Sequence, residues 1–104
     1  MSFDGNEGTV ISYATAHDLT EAFQTDNSGH VKAFFFGKNH IQDILDQIDC
    51  EGIRIYYGQN TSDEPAMVIV GANANEDDQI NGTILDYGLA SPPKSGAANN
   101  LNNN

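Results

Sequence analysis

The fold is decided by the stretch Ile53-Arg-Ile-Tyr-Tyr57, in which apolar and polar side chains alternate at the period of a β-strand. A polar turn of hairpin length follows over residues 58–65, and residues 66–70 supply a second strand that is apolar on both faces. Strands joined by so short a connection run antiparallel. The centre of the chain therefore predicts an antiparallel β-hairpin.

Two helices are predicted on the N-terminal side of this hairpin. The first follows Ser12, a suitable N-cap, and covers residues 13–25. The second follows Asn39, the expected N-cap, with Gln42 three residues later as in a capping box, and it ends at Gly52. Each helix has apolar residues at helical spacing, which predicts one buried face. These residues are Ala16, Leu19, Ala22 and Phe23 in the first helix, and Ile41, Ile44, Leu45 and Ile48 in the second.

Two further strands complete the predicted sheet. Residues 31–36 lie between the helices and are apolar on both faces, and residues 84–87 follow Asn81-Gly82, a strong signal for a type I′ hairpin turn. The element order is α-β-α-β-β-β. We therefore predict an α+β fold, a small single domain with a mainly antiparallel sheet of about four strands and two helices.

Composition sets the expected domain limits. Residues 1–9 are polar and rich in glycine, which predicts a flexible N-terminus, and residues 94–104 form an Asn-rich tail that is predicted to be disordered. The remaining residues, 10–93, form the single α+β domain. Pro92-Pro93 forbids further ladder pairing at its end.

Acidic side chains outnumber basic ones by 15 to 4, which gives a net charge of −11 over 104 residues. A surface this acidic repels phosphates, so we expect neither a nucleic-acid partner nor binding to a membrane surface. The charge also exceeds the magnitude of about 2–8 that keeps a small domain soluble. A basic protein partner, a bound cation, and an acidity that serves solubility alone all remain open.

Cysteine use and the absence of long apolar segments bear on localisation. The single Cys50 excludes an intramolecular disulfide and a Cys-rich zinc site. The first residues are acidic and lack an apolar segment, so we expect no secretory signal. The longest apolar run, residues 33–36, is too short to span a bilayer. A cytoplasmic location is therefore predicted.

Three segments of the predicted domain carry a resemblance: Val31-Lys-Ala-Phe-Phe-Phe-Gly-Lys38, Gly52-Ile-Arg-Ile-Tyr-Tyr-Gly58 and Met67-Val-Ile-Val-Gly-Ala-Asn-Ala-Asn75. They resemble a family of small uncharacterised proteins from Bacteroidetes-type bacteria, over about residues 10–93. Many members of that family end in Cys-Pro-Pro-x-Cys, whereas this chain has Ser91-Pro-Pro-Lys-Ser95. The resemblance implies a compact domain of bacterial origin and no particular activity.

An acidic ridge along the second helix is the first candidate site for a partner. It contains Asp43, Asp46 and Asp49, and Glu51 follows it. Complementary charge would accelerate encounter with a basic partner, although a solvated helix face explains the same pattern. Arg54 and Tyr56 lie on one strand face and are the second choice, since Arg and Tyr are common at interfaces and also form local cross-strand pairs.

The loop from Asn73 to Asn81 is a candidate divalent-cation site. Oxygen-bearing side chains occupy positions 1, 3, 5 and 9 of a calcium-loop frame, namely Asn73, Asn75, Asp77 and Asn81. Asp78 replaces the expected glycine and Ile84 replaces the bidentate glutamate. A solvated polar loop is the favoured interpretation, with weak calcium binding as the alternative.

Enzymatic chemistry is a minor alternative. Cys50 is a nucleophile if a histidine lies near it, and His40 with Asp43 is a conceivable acid–base pair. Structural cysteines and solvated histidines are commoner, and no catalytic motif is present. We therefore predict a small acidic cytoplasmic binding module, of the immunity, inhibitor or accessory type, with no catalytic residues and no cofactor.

Overall fold

A computed structural model describes residues 2–102, and the predictions for residues 1, 103 and 104 lie outside the described residues. The elements are α1 (Tyr13–Asp26), β1 (Ala33–Phe35), α2 (Lys38–Leu45), β2 (Cys50–Gln59), β3 (Pro65–Asn73), β4 (Ile84–Leu85) and β5 (Leu89–Ser91). The sheets are β2-β3-β4 and β1-β5, and both are antiparallel. The predicted α+β class is confirmed, although five strands in two sheets replace about four in one.

The chain divides into two compact units. The described residues of unit 1 are 2–7 and 36–88, which include α2 and the three-stranded sheet. Those of unit 2 are 8–35 and 89–102, which include α1 and the two-stranded sheet. The predicted limits of a single domain over residues 10–93, with flexible ends, stay a prediction.

The hairpin of unit 1 is the predicted one, and it is longer than predicted. Strands β2 and β3 pair from Gln59↔Pro65 to Cys50↔Asn73, with Ile55 opposite Ile69. The connecting turn is closed by a hydrogen bond from the Asn60 amide to the Glu64 carbonyl at 2.9 Å. The alternation of β2 therefore places Ile53, Ile55 and Tyr57 on one face of the sheet and Arg54 and Tyr56 on the other.

The apolar core of unit 1 is small. Its buried apolar side chains are Ile44, Ile69, Val70 and Ala72. Ile44 lies over Gly71, where a Cβ atom would come within 3.1 Å of the Ile44 Cγ2. Residues 69–72 of β3 are buried because α2 packs over this strand and β2 and β4 lie on either side of it, which explains why its apolar run has no polar face.

Helix α2 is shorter than predicted at its C-terminal end and begins earlier at its N-terminal end. Its N-cap is Gly37 with no side-chain hydrogen bond, so the prediction of Asn39 as N-cap is wrong. The helix ends at Leu45 instead of reaching Gly52. The residues between Leu45 and β2 form turns. In them Asp49 adopts a left-handed backbone conformation with φ of 65°, which aspartate tolerates better than most residues.

The Asn81-Gly82 hairpin prediction is also wrong, since neither residue has a positive φ. The chain reverses earlier, where the Asn73 amide donates to the Asp77 carbonyl at 3.0 Å and Glu76 has φ of 73°. The absence of a side chain at Gly82 leaves room for the Gln47 side chain, whose Oε1 accepts a hydrogen bond from the Thr83 amide. Residues 84–85 still form the predicted last strand against β3, although it is shorter than predicted.

Unit 2 contains the predicted first helix. Ser12 is its N-cap, and the Ser12 Oγ accepts a hydrogen bond from the Thr15 amide at 3.1 Å, as predicted. The predicted apolar face is not covered, since Leu19 is 63 % and Phe23 49 % exposed. Strand β1 pairs with β5, a three-residue strand too short to show a periodic pattern.

The last described residues of unit 2 form hydrogen bonds with α1 and with Lys32. The Asn100 amide donates to the Tyr13 hydroxyl, the Gln24 side chain donates to the Leu101 carbonyl and the Lys32 ammonium donates to the Asn102 carbonyl, all at 2.7–2.8 Å. His17 Nδ1 donates to the Asn100 carbonyl at 2.7 Å, because a carbonyl can only accept. The helix therefore contacts Asn100 and Leu101 through its polar side chains, whereas the sequence pattern predicts that its apolar face is the covered one.

Candidate interaction site

The four predicted acidic residues lie on one continuous stretch of chain, which we call the acidic segment (Asp43, Asp46, Asp49 and Glu51). Asp43 is in α2 and Asp46 is its C-cap, whereas Asp49 lies in the following turn and Glu51 in β2. They do not form a ridge along one helix, because the helix ends before the last two. They are distributed from the second half of α2, through the connecting turn, to the start of β2.

Most of the negative charge in the acidic segment is uncompensated. His40 approaches Asp43 at 3.8 Å, in the predicted i, i+3 arrangement on α2. Asp46 accepts a hydrogen bond from the Gln42 amide group at 2.8 Å. Within residues 2–102, no Lys, Arg or His forms an ion pair with Asp46, Asp49 or Glu51. The segment thus presents carboxylates whose charge is not balanced locally.

Ile48 lies in the middle of the acidic segment and is 87 % exposed. The sequence predicts it in the buried face of the second helix, but the helix ends three residues before it. Leu45, at the end of α2, is 43 % exposed. An exposed apolar side chain with carboxylates before and after it has the composition of a small interface, with an apolar centre and a charged rim.

The second predicted pair, Arg54 and Tyr56, meets a carboxylate from the loop between residues 73 and 81. The Arg54 guanidinium forms an ion pair with Asp78, and the Tyr56 hydroxyl donates to the other oxygen of the same carboxylate at 2.5 Å. Asp78 forms a bridge opposite Ala72 on β3, which brings it to the face of the sheet that carries Arg54 and Tyr56. We call these three residues the Arg54 cluster.

Further contacts hold Arg54 in place. Its guanidinium donates to the Glu76 carbonyl at 3.2 Å and lies over the Phe3 ring, 5.4 Å from the ring centroid. The Phe3 amide in turn donates to the Ala74 carbonyl at 2.9 Å. Arg54 is the only arginine of the chain. With one arginine and 15 acidic residues, the sequence predicts that Arg54 pairs with a carboxylate. The sequence does not indicate that this carboxylate belongs to Asp78.

The ion pair and the tyrosine hydrogen bond shift the pKa values of the cluster in opposite directions. The hydrogen bond from Tyr56, and then the guanidinium of Arg54, lower the pKa of Asp78 below its usual 3.8. The same hydrogen bond to a carboxylate raises the pKa of Tyr56 above 10.0. The pKa of Arg54 is raised by its hydrogen bond to Asp78. Arg54 and Tyr56 therefore stabilise a charged carboxylate within the chain.

In the loop from Asn73 to Asn81, the side-chain oxygen of Asn73 is used in hydrogen bonds within the loop. The Asn73 Oδ1 accepts hydrogen bonds from the amides of Asn75 and Asp77, at 2.9 and 3.1 Å. Within residues 2–102, no three His, Cys, Asp or Glu side chains form a group that could hold a metal ion. Calcium binding through Asn73, Asn75, Asp77 and Asn81 stays a prediction.

His40 lies in the first turn of α2, and Cys50 is the first residue of β2. His40 is exposed on α2, and the half-buried Cys50 is a free thiol whose Sγ donates to the Gly52 carbonyl at 3.2 Å. Their predicted alternative role in catalysis stays a prediction. Across residues 2–102, none of the helices combines the length and the apolar character that crossing a membrane requires.

Comparison of the chain with family models, with curated proteins and with solved structures finds no match. The resemblance to a Bacteroidetes-type family therefore stays a prediction, and the function of the chain has to be inferred from the geometry of its own residues.

Proposed function

We propose that this chain is a small acidic interaction module that binds a basic protein partner through the acidic segment. The exposed Ile48 between Asp46 and Asp49 is the observation that carries this proposal. Binding is favourable when a partner removes this apolar side chain from water and brings positive charge to the neighbouring carboxylates. A role as an immunity, inhibitor or accessory protein fits such a surface.

Arg54 and Tyr56 are the second choice for contacts with the partner, and the acidic segment makes the primary contacts. Their polar groups already bind Asp78, so they have less capacity for a partner than the exposed carboxylates have. The free thiol of Cys50 fits a reducing compartment, so we expect the module to act in the cytoplasm.

A matched pair of charge variants tests the acidic segment. The site variant carries Asp43→Asn, Asp46→Asn, Asp49→Asn and Glu51→Gln. The control variant carries Asp18→Asn, Glu21→Gln, Asp26→Asn and Asp86→Asn, at four exposed positions elsewhere. Each removes four negative charges and changes the net charge from −11 to −7. A difference between them therefore reports position and not total charge.

The experiment captures partners from lysate of the source organism at low and moderate salt, and then measures the dissociation constant of each purified partner by calorimetry. We expect a stoichiometric basic partner that binds the wild-type chain and the control variant. The site variant should bind it at least about tenfold more weakly, a loss of about 1.4 kcal/mol. Equal binding by both variants, or no stoichiometric partner at either salt concentration, would refute the proposal.

A further inference from the structure

Strand β2 is the edge of its sheet, and its outer side has no partner strand among the described residues. It is ten residues long, where strands in globular proteins average about five or six. Natural edge strands are protected by charged side chains, above all lysine, by proline, by bulges, by short length or by a covering loop. The one irregularity of β2 lies at its start, between Cys50 and Gly52. Residues 53–59 contain neither lysine nor proline, and their one charged side chain, Arg54, is paired with Asp78 of the same chain.

The apolar face of β2 is covered at one end only. The exposed fraction rises from 39 % at Ile53 to 54 % at Ile55 and 90 % at Tyr57. Helix α2 explains this gradient, because Ile44 covers Gly71, the residue paired with Ile53. The strand therefore combines an open edge with an apolar stripe that becomes more exposed toward the hairpin turn.

From this edge we infer that a second copy of the chain pairs with β2 in an antiparallel register centred on Ile55. In that register Ile55 faces its own copy across the two-fold axis, and each Ile53 faces the other copy's Tyr57. The most exposed residue of the stripe then lies opposite the most covered one. A two-fold interface is self-complementary in this way.

Alternative registers are less favourable. A register centred on Arg54 would place the two guanidinium groups directly opposite each other, and like charges in that position are destabilising. A register centred on Tyr56 would place Ile53 opposite Gln59 and lose an apolar pair. A shift by one residue would put the apolar stripe of one copy on the polar face of the other.

Charge favours the antiparallel over the parallel direction of pairing. Residues 53–59 carry one charged side chain, Arg54, and its charge is paired with Asp78. In the antiparallel dimer the two Glu51 residues lie about 26 Å apart, eight residues along a strand, which is about three Debye lengths at physiological salt. A parallel dimer would bring the two acidic segments side by side. The antiparallel arrangement leaves both acidic segments free at opposite ends.

Sedimentation equilibrium of the full chain from micromolar to near-millimolar concentration tests the dimer. We expect a monomer–dimer equilibrium that Ile55→Lys weakens by roughly tenfold or more, because it places two lysines opposite each other at the centre of the edge. Ile80→Lys is the control, since Ile80 is 72 % exposed and lies outside β2. A monomer at all concentrations, or a dimer that Ile55→Lys leaves unchanged, overturns the inference.

Cysteine variants test the register independently of affinity. In a Cys50→Ser background, Ile53→Cys and Tyr57→Cys should form a disulfide with each other under mild oxidation when the two proteins are mixed. Paired positions in an antiparallel ladder have Cα atoms within about 4.5–5.5 Å of each other, which permits a disulfide. Either variant on its own should form a disulfide-linked dimer far more slowly, because its cysteines are not at paired positions. Faster cross-linking of either variant alone would overturn the register. The result is independent of the basic partner, since no partner is added.

Discussion

Unit 1 contains all four buried apolar side chains of the described residues, whereas unit 2 buries only the polar Ser91. In unit 1 the apolar side of α2 covers β3, and burial of Ile44 and Ile69 removes apolar surface from water. In unit 2 the helix contacts Asn100 and Leu101 through His17, Gln24 and the Tyr13 hydroxyl. An exposed or half-exposed hydrogen bond contributes much less than burial of a large side chain, because water competes for both partners.

The difference shows where stability and binding surfaces are located in this chain. The apolar core holds β2 and β3 in register, and this positions the acidic segment, the Arg54 cluster and the open edge. Unit 2 leaves Leu19 and Phe23 half-exposed or more. We therefore expect unit 2 to open locally at a lower free energy than the unfolding of unit 1.

The largest effect is expected from Ile44→Ala, because Ile44 is fully buried. The change removes apolar contacts and leaves a cavity between α2 and β3, so the free energy of unfolding should fall by about 2–5 kcal/mol. Urea denaturation measures it. Ile80→Ala, at a 72 % exposed position, is the control and should change the free energy by less than about 0.5 kcal/mol. Similar effects of both substitutions would show that unit 1 lacks an apolar core around Ile44.

Gly71→Ala should produce the next largest effect. Its Cβ would come within 2.5 Å of the Gln79 Oε1 and 2.9 Å of the Gln47 Nε2, two atoms that are hydrogen-bonded to each other, and Ile44 blocks the remaining space. We expect a loss of about 1–3 kcal/mol in the free energy of unfolding. Gly52→Ala, where no atom lies within 4 Å of the added Cβ, should be tolerated. If both substitutions are tolerated, α2 does not approach β3 this closely.

Ser12→Ala tests unit 2 through its helix. The substitution removes the hydrogen bond that the Thr15 amide donates to Ser12, and loss of an N-cap costs about 0.5–2 kcal/mol. We expect faster amide hydrogen exchange in α1, with the amides of β3 little affected. Ser12→Asp keeps an acceptor at the N-cap and should restore protection. A uniform change in α1 and β3 would contradict the independent opening of unit 2.

The Arg54 cluster should make stability depend on pH at both extremes. Because the pKa of Asp78 is lowered, its contribution is present above 3.8 and is lost as the pH falls through the folded-state pKa. The pKa of Tyr56 is raised, so its contribution is present below 10.0 and is lost as the pH rises through the folded-state value. The stability difference between wild type and Tyr56→Phe should therefore be constant from about pH 5 to 9 and shrink on either side.

Thermal melts across this range check the pH prediction, with Tyr57→Phe as the control. Tyr57 is 90 % exposed, on the opposite face of β2 from the cluster. Its substitution removes no hydrogen bond to Asp78, so it should not reproduce the pH dependence expected for Tyr56→Phe. A pH-independent difference for Tyr56→Phe would mean that its hydroxyl does not stabilise the charged form of Asp78.

Elements with a strong local pattern could be predicted from the sequence. The alternation of residues 53–57 and the N-cap Ser12 both correspond to the structure, because each depends on neighbours close in the chain. The end of α2 could not be predicted, since its apolar spacing continues to Ile48. The structure shows that Gln47 instead turns its side chain to Gln79 and to the Thr83 amide, contacts that are distant in sequence.

The candidate site could be predicted only in part for the same reason. The period of a strand correctly places Arg54 and Tyr56 on one face. Their partner Asp78 lies 24 and 22 residues away and reaches them only through its bridge to Ala72. The Asn-Gly pair favours a hairpin locally. In the structure, Gly82 instead makes room for the Gln47 side chain, a contact between distant residues that no local pattern reveals.

Residue-resolved hydrogen exchange of the wild-type chain tests most directly the claim that unit 1 holds the core. We predict that central amides of β3, around Ile69 and Val70, exchange only through global unfolding. Amides in the middle of α1 should exchange through a local opening of lower free energy, and therefore faster. Equal protection of α1 and β3, at the level of global unfolding, would contradict the claim.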